Sequence, residues 1–106
     1  MLPKFRNYGN YSSNNYGVNS ICFDLGNLEV YFSYETPVAF CHPSTGLIIR
    51  QNAWGPTTGK HLNWIDSDKS KRISGKEFKQ KLNKILEEIW KRKQLRKYLI
   101  INLIRL

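Results

Sequence analysis

Ile21-Cys22-Phe23-Asp24-Leu25-Gly26-Asn27-Leu28-Glu29-Val30-Tyr31-Phe32-Ser33-Tyr34 alternates apolar and polar residues on both sides of a turn. Ile21, Phe23 and Leu25 fall at every second position, and so do Leu28, Val30, Phe32 and Tyr34. Between the two runs stands Gly26-Asn27, a two-residue hairpin turn of the primed type. A loop of that length pairs Leu25 with Leu28, Phe23 with Val30 and Ile21 with Phe32. All six then share one face, as a half-buried antiparallel hairpin requires. The opposite face pairs Cys22 with Tyr31 and Asp24 with Glu29. Two facing carboxylates carry a small penalty if exposed, and alone they make a weak cation site.

Working outward, Pro37-Val38-Ala39-Phe40-Cys41-His42 predicts a third strand, since proline suits a first strand residue. Pro43-Ser44-Thr45-Gly46 is a turn cluster, and Leu47 to Gln51 a fourth strand. Residues 18–52 are therefore expected to form a four-stranded antiparallel meander. Residues 53–73 form a loop in this reading, with Trp54 and Trp64 bracketing a Gly/Pro/Thr stretch. Ser74-Gly75-Lys76-Glu77 is a capping box. Phe78, Leu82, Ile85, Leu86 and Ile89 follow at helical spacing, predicting a helix over about 75–97. Glu77–Lys81, Glu87–Lys91 and Glu88–Arg92 are spaced as i,i+4 pairs. Lys93 and Arg96 stand where the apolar stripe would continue, so the helix is expected to project past the body.

The chain has 106 residues, which fits one domain of α+β class: a meander with one long C-terminal helix on one face. Residues 1–17 are a polar arm whose Tyr8, Tyr11 and Tyr16 pack it down or, on the functional reading, stack on bases. Residues 98–106 are apolar in almost every direction. A last strand, a homodimer contact and a docking tail all remain open for them.

The net charge is +9, and it is segregated. Residues 1–66 hold four basic side chains (Lys4, Arg6, Arg50, Lys60) and four acidic ones (Asp24, Glu29, Glu35, Asp66). Residues 67–106 hold thirteen basic and four acidic, so the whole excess sits there. That asymmetry is expected of a chain that meets a polyanion. AT-rich coding, which favours Asn, Lys and Ile, produces the same composition without selection for binding. Lys91, Arg92, Lys93, Arg96 and Lys97 are the densest part and the candidate nucleic-acid-binding residues. No sequence-reading motif accompanies them. The same basic stretch, followed by its apolar tail, also suits an anionic membrane surface.

Other chemistry is weakly signalled. Gly55-Pro56-Thr57-Thr58-Gly59-Lys60 fails as a phosphate-binding P-loop, with three residues between the glycines and His61 after the lysine. Cys22, Cys41, His42 and His61 lack zinc-ligand spacing, so no metal and no cofactor are expected. Two cysteines in strand-like segments predict free thiols in a reducing compartment. Trp54, Lys60, His61, Asn63 and Trp64 form a possible loop site, with Lys60 and His61 able to serve a small hydrolase or nuclease. On the structural reading, Trp54 and Trp64 anchor the loop in the core and His61 caps a backbone group. The polar N-terminus shows no secretory signal, and no apolar run approaches the roughly 20 residues of a membrane span.

Tyr8-Gly9-Asn10-Tyr11-Ser12-Ser13-Asn14-Asn15-Tyr16-Gly17, Leu28 to Phe40 and Trp54 to Asp66 together resemble a small domain of unknown function encoded by phages, archaeal viruses and other mobile elements. The resemblance spans about residues 8–86 and carries no catalytic residues. It implies a viral or mobile-element protein in the host cytoplasm. Two binding functions follow as expectations: a non-enzymatic accessory protein that engages nucleic acid or a host nucleoprotein, or an inhibitor of a host defence system of the anti-CRISPR type. Residues 90–106 are an extension beyond the resembling region.

Overall fold

The computed structural model describes residues 3–8 and 19–105, with side chains as far as Lys91. Five strands form one antiparallel sheet in the order β1-β2-β3-β4-β5. They are β1 (Lys4–Asn7), β2 (Ser20–Asp24), β3 (Glu29–Ser33), β4 (Thr36–His42) and β5 (Gly46–Ile49). Helix α1 (Pro56–Ile65), a 3-10 turn (Lys69–Lys71) and helix α2 (Gly75–Arg105) follow.

The central hairpin has the register expected from its alternation. Ile21 opposes Phe32, Phe23 opposes Val30, and the Leu25 amide donates to the Leu28 carbonyl at 2.8 Å. Gly26 adopts φ 91°, a left-handed conformation that a primed turn demands and glycine supplies without strain. Asp24 and Glu29 do face each other, but each has its own partner. Asp24 accepts from the Gly26 amide at 2.7 Å, and Glu29 accepts from the Tyr31 hydroxyl at 2.8 Å.

The sheet is covered on both faces. Leu28, Val30 and Phe40 of one face pack against Phe78, Leu82 and Ile85 of α2. Val38, Ala39 and Ile49 of the other pack against Leu62 of α1. A bulge explains how neighbouring residues Val38 and Ala39 join one cluster. Tyr31 opposes Ala39 while Phe32 opposes Pro37, so Val38 is the extra residue. The serine half of the capping box forms as its spacing predicts, the Glu77 amide donating to Ser74 Oγ at 3.2 Å.

Three expectations are corrected. The polar arm contributes β1, an edge strand held by ring contact of Phe5 with Phe23 and by an Arg6–Glu29 ion pair at 3.6 Å. Beyond it, buried Tyr8 does pin the arm, donating to the Phe32 carbonyl at 2.6 Å. Tyr11 and Tyr16 lie outside the described residues. The 53–73 segment is not a loop, because it folds as α1 and the 3-10 turn. Proline at the first helical position costs no hydrogen bond there, and burial of Thr58, His61 and Leu62 at i, i+3 and i+4 supplies the driving force. Finally, α2 runs to Arg105, so residues 98–105 continue the helix and form no strand.

Candidate nucleic-acid interface

A 31-residue helix is about 46 Å long, and the strands it crosses have four to seven residues. The helix must therefore outrun the sheet. Ile89 is the last described side chain packed on the core, and the next two, Trp90 and Lys91, are exposed. Arg92, Lys93, Arg96 and Lys97 follow on helical backbone. The described lysines of α2, at 76, 79, 81, 84 and 91, are all exposed. None forms an ion pair with a described residue, and neither Glu77–Lys81 nor Glu87–Lys91 closes to 4.0 Å.

The loop candidates do not converge, because α1 distributes them around its axis. His61 is fully buried, while Lys60, Asn63 and Trp64 face outward. Successive residues on a helix point about 100° apart, so Lys60 and His61 diverge and form no common cleft. His61 Nδ1 lies 2.7 Å from Ser33 Oγ, which is 2.9 Å from Thr58 Oγ1. The rings of Tyr8 and Tyr34 each have centroids 6.1 Å from the imidazole. This buried chain of polar groups ties α1 to β3. His61 bonds the Ser33 side chain. The tryptophans are not core anchors, since Trp54 and Trp64 are 45% and 52% exposed.

The connector between the helices is set by acids bound to backbone. Asp66 accepts from the Asp68 amide at 2.9 Å and pairs with Lys71 at 3.3 Å, and both hold its carboxyl below the usual range. Asp68 is held low in the same way by the Ser70 hydroxyl and amide. Arg72 donates to Asn63 Oδ1 at 2.8 Å, joining the connector to α1.

One residue escaped the sequence reading. Arg50 ends the apolar run of β5, yet it is only 8% exposed. Its guanidinium stacks on the Trp54 ring, 4.5 Å from the centroid, and lies against Gly75. A charged residue closing a Leu47-Ile48-Ile49 strand, with glycine at the first position of the next helix, was the available signal.

A family model, a family of unknown function (DUF8033), matches residues 4–80. The chain belongs to this family. The match takes in all five strands, α1, and the first residues of α2, and it ends before the basic residues at 91–97. No curated protein and no solved structure matched the chain. Among the described residues, no helix is long and apolar enough to cross a membrane.

Proposed function

We propose that this family member is a non-enzymatic accessory protein of a phage or other mobile element. It acts in the host cytoplasm and binds nucleic acid or a nucleoprotein through the free end of α2. Lys91, Arg92, Lys93, Arg96 and Lys97 contact phosphates in this reading. The observation that carries it is the segregation of the charge. The sheet half is neutral, with Arg6 paired to Glu29. The exposed lysines of α2 have no carboxylate partners among the described residues. Trp90, 62% exposed beside Lys91, adds a surface on which a base can stack.

Binding of labelled duplex and single-stranded oligonucleotides, followed by anisotropy across a salt series, tests the proposal. Affinity should fall steeply with salt, as counterion release requires. Absence of binding at low salt overturns it. A pull-down from host lysate, with and without nuclease, then decides between the two binding readings. A protein partner that survives nuclease points to an inhibitor of the anti-CRISPR type.

A further inference from the structure

We propose that Arg50 and the N-terminus of α2 form a binding site for one phosphate group. The site stands apart from residues 91–97, so it holds whether or not that segment meets nucleic acid.

Arg50 is more than nine-tenths buried, and no anion stands beside it among the described residues. Its Nε reaches only the Gln51 carbonyl, at a long 3.3 Å. Among the described residues nothing accepts a hydrogen bond from either Nη, and no carboxylate pairs with it. Its faces are occupied by rings, Trp54 at 4.5 Å and Phe78 at 6.0 Å from their centroids. Nη2, Cζ and Nη1 all press on the place where a side chain at position 75 would begin, so only glycine admits this approach. Gly75 is the first residue of α2, the positive end of its dipole. Both Nη groups still reach solvent, so an anion can reach them, and beside the positive end of the helix one is favoured.

The same place offers unused donors. Of the first amides of α2, Glu77 donates to Ser74 Oγ and Phe78 to the Ser74 carbonyl. The amides of Gly75 and Lys76 have no acceptor among the described residues. Two amides and the planar fork of Arg50 thus meet at one helix end. An oxyanion there satisfies the donors and neutralises both the guanidinium and the dipole. Phosphate fits better than a carboxylate, having oxygens enough for both the fork and the amides.

Trp54 makes the test direct, because its indole touches the guanidinium. With the two other, exposed tryptophans replaced (Trp64→Phe, Trp90→Phe), Trp54 is the sole emitter. Titration of the full-length chain with inorganic phosphate should shift its emission saturably. Sodium chloride at matched ionic strength should not. Arg50→Lys keeps the charge but loses the fork, and should weaken the response at least about tenfold. Gly75→Ala places a methyl group where the guanidinium lies and should weaken it similarly while favouring the helix. If Arg50→Lys fails to fold by circular dichroism, Gly75→Ala decides alone. A response that chloride reproduces, or that both variants retain, overturns the site. Reversing the charges at 91–97 should leave the phosphate response intact, and loss of it there also overturns the proposal. Competition by a short oligonucleotide assigns the site to a backbone phosphate. Failure of the oligonucleotide to compete assigns it to a free phosphate or a small phosphorylated molecule.

Discussion

Ser33 shows how one hydroxyl decides the role of a histidine. Its Oγ bridges Thr58 and His61 inside the molecule, 2.9 and 2.7 Å away. Ser33→Ala leaves two buried polar groups short of a partner and should cost about 1–3 kcal/mol, read as a lower urea midpoint. A midpoint equal to that of the unaltered chain would remove the structural role assigned here to His61. The same sheet face predicts a pH dependence. Burial pushes the Cys22 thiol up to about 11. Burial, followed by the hydrogen bond to the Glu29 carboxylate, pushes the Tyr31 hydroxyl up to about 12. Both groups give up their protons more readily in the unfolded chain, from 9.0 and 10.0 upward. Their contribution to stability is therefore complete below about pH 9 and lost as pH rises through 11 to 12. Urea midpoints measured from pH 8 to 12 should fall across that window, and Tyr31→Phe should flatten its upper part. A flat profile in the unaltered chain would contradict the burial of both groups.

At the scale of elements, what was legible depended on whether burial followed an apolar period. The β2–β3 hairpin was readable because six apolar residues and a glycine turn agree on one register. The start of α2 was readable because a serine and a glutamate are spaced to cap it. Helix α1 was not, because its inward face includes Thr58 and His61, polar residues satisfied by Ser33 rather than by water. Its opening, Gly55-Pro56-Thr57-Thr58-Gly59, has poor helix formers. Proline at the first helical position, with Thr58, His61, Leu62 and Ile65 at i, i+3, i+4 and i+7, was the overlooked signal. Strand β1 was hidden because all four of its residues are exposed, so nothing alternates. For the candidate site, the basic run was visible as composition. That Lys91 leaves its i,i+4 pair with Glu87 open was not, since spacing permits such pairs without closing them. Ser74→Ala should destabilise the chain by about 1 kcal/mol, and Phe78→Ala, which empties the contact with Phe40, by about 3–5 kcal/mol. Equal effects of the two would mean that the helix is held by its cap rather than by its apolar face.

Across the described side chains, core packing ends at Ile89, ahead of the basic run, so packing and charge should separate by mutation. The core clusters draw on residues from Leu25 to Ile89, and the family match ends earlier, at residue 80. The basic residues at 91, 92, 93, 96 and 97 lie beyond both. Reversing all five to glutamate should therefore leave the urea midpoint nearly unchanged, because surface substitutions away from packed contacts shift stability by only about 0.5 kcal/mol. Affinity for nucleic acid should respond very differently. Each phosphate neutralised contributes about −0.9 to the slope of log affinity against log salt on duplex. Five contacts then amount to a slope of about −4 to −5 that disappears with the reversal. Two results together carry the argument: a midpoint that holds and a slope that collapses. If binding and slope both survive, the phosphate contacts lie elsewhere on the chain. If the midpoint falls with the affinity, the end of α2 is part of the folded body, and the division between a neutral packed half and a free basic end is wrong.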